Sequence, residues 1–131
     1  LLDRIDLHIE VPEVEYKDLT RSRDGEASSR IVARVSAARL MQLDRFQDPE
    51  VLCNSQMDSK LIKTFCALDK PGKSQLEEAI QKLGFSARAY DRILKVSRTI
   101  ADLAQSETIQ SDHVAEAIQY RSLDRNLWST Y

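Results

Sequence analysis

Glycine and proline are scarce in this chain, three of each in 131 residues, and aromatic side chains make up only 6%. A turn-rich all-β domain draws heavily on those residues, so that fold class is set aside. No apolar run nears the ~18 residues that a membrane helix needs. No basic stretch followed by an apolar one stands at the N-terminus, so a secretory leader is not expected either. The first residues read instead like the middle of a longer, cytoplasmic protein. Neither sign of charge is in excess: 19 basic against 21 acidic side chains leave −2. That balance argues against a nucleic-acid binder that uses its whole surface, while leaving room for a local basic patch. Cys53 and Cys66 lack CxxC spacing and, with His8 and His113, make no plausible zinc set, so reduced thiols are expected and no metal. The chain has no GxxxxGK[ST] phosphate loop, no paired carboxylates at a readable site and no local Ser/His/Asp or Cys/His set. A self-contained active site is therefore not expected, and His113 beside Asp112 reads as a surface or capping-region residue rather than a base.

What is present points to helices, with 31% charged and 42% apolar residues in a length that suits one compact domain. The opening LLDRIDLHIEV is the exception. Ile5, Leu7, Ile9 and Val11 alternate with Asp6, His8 and Glu10, the two-residue period of a half-buried strand. No second strand follows, so this one is expected to be unpaired or disordered. Residues 12–28 read as a linker, in which Arg21 and Arg23 are solvated. Ser28 or Ser29 then caps a helix with Ile31, Val35, Ala38 and Met41 on one stripe. Asp58 caps a short helix with Leu61, Ile62 and Phe65 inward. DKPG over 69–72 reads as a turn. Ser74 and Glu77 form a capping box for a helix with Leu76, Ala79, Ile80 and Leu83 inward, which Gly84 closes. Ser86 caps the strongest helix, whose stripe of Tyr90, Ile93, Leu94, Ser97, Ile100, Ala101 and Ala104 runs over four turns. Val114, Ala117 and Ile118 face inward on the last helix. The reading is all-α, a compact bundle of about five helices over residues 29–125, with 126–131 as a frayed tail. The core is expected at Ile31, Val35, Leu61, Phe65, Leu76, Ile80, Leu83, Tyr90, Ile93, Leu94, Ile100, Val114 and Ile118.

Two arginines stand in unusual settings. Arg4 opens the strand. Arg88 lies in the first turn of the strongest helix, where the helix dipole disfavours a cation by about 0.3–1 kcal/mol. A guanidinium there asks for an anion, and phosphate suits its two-pronged geometry. The plainer alternative is that Arg88 lies over its own helix and pairs with a nearby acid. Arg92 and Lys95 share its face, a possible DNA or partner surface.

Four stretches carry a resemblance. LLDRIDLHIEV resembles the arginine-finger strand of AAA+ ATPases of the Mg-chelatase and MCM group. SARAYDRILKVSRTIADL resembles their sensor-2 helix. Together with AARLMQLDRF and the closing HVAEAIQYRSLDR, these stretches are similar to the C-terminal region of Mg-chelatase-like ATPases of the ComM/YifB type, over nearly the whole chain. The resemblance makes the bundle an AAA+ lid domain, with residues 1–28 a remnant of the AAA+ core and its linker. It implies that Arg4 is an arginine finger acting in trans and Arg88 the sensor-2 arginine, on its own or a neighbour's nucleotide. ATP and Mg2+ would belong to the full-length parent alone. The partners implied are the chain's own core domain, neighbouring subunits of a homo-oligomeric ring, six-membered by resemblance, and DNA for the parent. The isolated fragment would not be an enzyme; the parent would be an ATPase driving a helicase-like DNA motor. Two alternatives stay open: a free-standing DNA-binding or protein-interaction module, and the lid of a genuine magnesium chelatase, although that subunit more often reads LLDRFG where this chain has LLDRID.

Overall fold

The computed structural model describes residues 4–20 and 25–121, and the expectations for Arg21, Arg23 and the 126–131 tail lie outside them. The regular elements among the described residues are all helices, with two isolated bridges and no strand, as the all-α reading expects. A single turn, α1 (Tyr16–Leu19), interrupts the expected linker. The bundle follows with α2 (Ser28–Phe46), a 3-10 turn (Asn54–Gln56), α3 (Ser59–Phe65), α4 (Lys70–Leu83), α5 (Ala87–Leu103) and α6 (Ser111–Gln119).

Local chemistry sets most of the boundaries. The Asp58 carboxylate accepts the Leu61 N–H and starts α3; the Ser86 hydroxyl accepts the Ala89 N–H and starts α5. Gly84 ends α4 at φ 65°, a conformation that costs a residue with a Cβ. At α6 the two sides of a capping box are Gln110 and His113, whose Nδ1 accepts the Gln110 N–H at 3.0 Å; of the two readings of His113, capping holds and surface does not, since it is buried.

Two starts differ from expectation. Helix α4 begins at Lys70, not after Ser74. Asp69 is its cap, accepting the Gly72 N–H at 2.8 Å, and Pro71 sits in the first turn, where its missing N–H costs nothing. DKPG is thus a helix start rather than a turn. Helix α2 is capped by Ala27 without a side-chain bond, and Ser28 is already its first residue.

Helix α5 is the hub, packing against α6, α2, α3 and the 3-10 turn, while α4 closes on α6. Leu76, Ile93, Leu94 and Val114 are buried, and Leu61, Phe65, Ile80, Ile100 and Ile118 pack around them. Phe46 meets Phe65 edge-on at 5.5 Å, which pins the end of α2 to α3. Ile31 (41% exposed), Val35 (45%) and Tyr90 (41%), all expected in the core, are on the surface. For Ile31 and Val35 the reason is geometric: α2 reaches the bundle only from Ala38 onward, so its first half turns its apolar stripe outward. Both cysteines are free, and burial pushes the Cys66 thiol up to about 11, which makes it unreactive at neutral pH.

Candidate functional site

The row Arg88, Asp91, Lys95, Arg98, Asp102 recurs along α5 in steps of three and four residues, which places it on one flank of the helix. The two halves of that flank have different surroundings. Over the second half, the end of α2 and the 3-10 turn form a roof. Asp102 is fully buried there, and four donors converge on its carboxylate. Arg45 supplies two, at 2.5 and 2.9 Å; Asn54 Nδ2 lies at 2.9 Å and Arg98 Nε at 3.2 Å. Arg98 donates one N–H from each Nη to the carbonyls of Ser106 (2.7 Å) and Glu107 (3.0 Å). Burial pulls the Arg98 guanidinium below its ordinary value, against the opposing pull of Asp102. Asn54 is fixed in turn by Gln42, whose Oε1 accepts its backbone N–H at 3.0 Å, and by Thr99. Two guanidinium groups on one carboxylate make an interior cluster whose job is to join α2, the turn and α5.

The first half of the flank is open. Arg4, Ser55, Arg88, Asp91, Arg92 and Lys95 line a depression of about 520 Å³ at the N-terminal end of α5. Arg88 is the second residue of the helix, held there by the Ser86 cap two positions earlier. Lys95 Nζ donates to the Ser55 carbonyl at 3.1 Å, on the turn that roofs the neighbouring half. Arg92 pairs with Asp6. Neither Arg4 nor Arg88 forms a hydrogen bond or ion pair with another described residue. The structure thus gathers all four candidate residues, Arg4, Arg88, Arg92 and Lys95, at one cleft, although Arg4 is far from the others in sequence. Among the described residues, no group of three His, Cys, Asp or Glu side chains is placed to hold a metal ion.

Arg4 arrives there because the opening segment lies against the bundle instead of pairing in a sheet. The His8 N–H donates to the Tyr120 carbonyl at 2.7 Å, and Arg121 Nη1 donates to the Ile5 carbonyl at 2.6 Å. His8 and Arg121 are both buried. Sequence reasoning missed Arg45, Asn54, Arg98, Asp102 and Arg121. Only Arg98 and Asp102 left a trace, as a complementary pair four residues apart beside an apolar stripe.

Residues 25–121 match the family described as magnesium chelatase, subunit ChlI C-terminal. The chain belongs to that family. It is 43% identical over 127 residues to competence protein ComM of Haemophilus influenzae and 41% identical to the YifB protein of Escherichia coli, covering 96% of this chain and 24% of each relative. A Mycobacterium tuberculosis relative, Rv2897c, is 28% identical over 121 residues, 92% of this chain and again 24% of its own length. This chain therefore spans about a quarter of the curated relatives it matches. The bundle described above is the C-terminal magnesium-chelatase domain of a protein of the ComM/YifB type. No described helix is long and apolar enough to cross a membrane.

Proposed function

We propose that this domain is the helical lid of a ring-forming, cytoplasmic AAA+ ATPase, and that Arg4 and Arg88 are its two contributions to ATP turnover. The observation that carries the reading is their shared cleft: two guanidinium groups without a partner among the described residues, at one solvent-open wall. ATP is the substrate, held with its Mg2+ by an AAA+ core domain. Arg4 acts as the finger. Its guanidinium stabilises the charge that spreads over the γ-phosphoryl oxygens as water attacks the γ-phosphorus and the bond to the ADP leaving group lengthens. Arg88, displaced by its own helix dipole toward any nearby anion, reads whether that phosphate is present and passes the state to α5. Because one cleft holds both arginines, the reading favours a neighbouring subunit's ATP for both. The assembled protein is a homo-oligomeric ring, taken as a hexamer, that works on DNA; one relative carries the name of a competence protein.

The competing module that binds DNA through Arg88, Arg92 and Lys95 has less support. Arg92 is engaged by Asp6 and Lys95 by the Ser55 carbonyl, which leaves one of its three cations uncommitted. Strongly salt-dependent DNA binding by the 131-residue chain would revive it. The deciding experiment uses the full-length protein. Arg4→Ala, Arg88→Ala and a variant of the phosphate-loop lysine are each expected to lack ATP turnover, and mixed rings of the Arg4 and lysine variants to regain part of it. Normal turnover by both arginine variants in intact rings would refute the assignment.

A further inference from the structure

We infer that Asp6 is a positioning residue: its pair with Arg92 clips the segment carrying Arg4 onto the helix carrying Arg88, so that both arginines face one cleft. The inference rests on the roles proposed above for those two arginines. It starts from which side of the opening segment touches the bundle. The two-residue alternation predicts that Ile5, Leu7 and Ile9 face a core, yet they are 44%, 46% and 66% exposed. Polar groups anchor the segment. Asp6 reaches Arg92, and His8 is buried with its N–H on the Tyr120 carbonyl. Arg121 grips the Ile5 carbonyl one residue beyond Arg4. Leu7 and Ile9 edge a groove over Val96, Ile100 and Leu103 but stay exposed there, so polar contacts such as these carry much of the placement of Arg4.

Of the three contacts, Asp6–Arg92 is the one that belongs to the cleft itself. Arg92 lines the depression beside Arg88, one helical turn away, and Asp6 lies two residues from Arg4. The pair therefore fixes the spacing between the two guanidinium groups. It also keeps Arg92 turned toward Asp6 and out of competition with Arg88 for an incoming anion. Both partners are partly exposed, which suits a clip that must release when the ring changes state.

The test has two arms. In the 131-residue chain, amide hydrogen exchange at His8 reads the docking of the segment. Asp6→Ala is expected to lower its protection roughly fivefold, and the charge exchange Asp6→Arg with Arg92→Asp to restore it. In the full-length protein, Asp6→Ala is expected to lower kcat for ATP about tenfold with KM changed less than about twofold, the signature of misplaced rather than missing groups. The charge exchange should recover most of that loss, and Lys82→Gln, which breaks a more exposed pair with Glu78 on α4, should leave turnover unchanged. Unchanged kcat in Asp6→Ala, or a loss that the charge exchange does not rescue, overturns the inference while Arg4→Ala still abolishes turnover. Normal turnover in Arg4→Ala removes the proposed function and this inference with it.

Discussion

Arg88 and Arg98 sit on the same flank of the same helix, three turns apart at most, and have opposite circumstances. Arg98 is 3% exposed, and its donors are all directed at a carboxylate and two carbonyls of the same chain. Arg88 faces an open cleft and meets no described partner. What separates them is the roof: the last turn of α2 with Arg45, and the 3-10 turn with Asn54, cover the second half of the flank and stop at Ser55. An arginine under that roof must be neutralised within the fold, because leaving it unpaired would cost several kcal/mol. An arginine beyond it can wait for a ligand. The comparison teaches that a row of charges along one helix need not be one site; here it is half scaffold and half cleft.

The most severe way to test this division is to remove the carboxylate under the roof. Asp102→Ala leaves Arg45 and Arg98 facing each other without a counter-charge in a buried setting, and is expected to cost about 3–5 kcal/mol. Thermal or urea unfolding of the 131-residue chain measures it. A loss under about 1 kcal/mol would mean that water enters and screens the cluster, and that the roof is not closed. Next in size is Leu94→Ala, on the apolar stripe that adjoins the same flank. Leu94 is 5% exposed within the main core, so about 2–5 kcal/mol should be lost. Melting within a degree of the parent chain would show that α5 is not the hub.

The sequence gives away features whose partners are local and hides those whose partners are distant. Ser86, Gly84 and Asp58 were legible as caps because each acts on backbone within one turn. Asp69 was misread because an aspartate two residues before a proline suits a turn and a helix start equally well, and only the burial of Gly72 against α6 decides between them. The interior cluster could not be read at all: Asp102 meets Arg45 across 57 positions and Asn54 across 48. The cleft was half legible. Helical spacing placed Arg88, Arg92 and Lys95 together, and resemblance brought in Arg4, but nothing in the alternation of residues 5–11 says that the segment would dock on the bundle through Asp6 and the backbone of Ile5 and His8. Periodicity reveals that a face is amphipathic without revealing what covers it, which is also why Ile31 and Val35 on α2 were expected inside.

That α2 stripe supplies a smaller test of the same contrast between covered and uncovered faces. Val35→Ala removes apolar atoms that are 45% exposed, so its cost in the 131-residue chain should stay within about 0.5 kcal/mol. The same substitution at the buried Val114 should cost several times more. Equal losses at the two sites would mean that the first half of α2 is covered in solution, and that the bundle closes on itself more fully than its contacts indicate.

The smallest expected effect is the most informative about the cleft. Arg88→Ala removes a cation from the second position of α5, next to the positive end of the helix dipole, and replaces it with the best helix former. No described contact is lost. Stability should therefore hold or rise by about 0.3 kcal/mol, seen as a slightly higher unfolding midpoint at low salt that fades as salt screens the dipole. A side chain held at a cost to its own helix is one kept for something outside the fold, and the sign of this small change tests that. If Arg88→Ala destabilises the chain by about 1 kcal/mol or more, the guanidinium is paying its way within the bundle. Arg88 would then belong with Arg98 as scaffold, and the division of the flank would have to be moved toward the start of the helix.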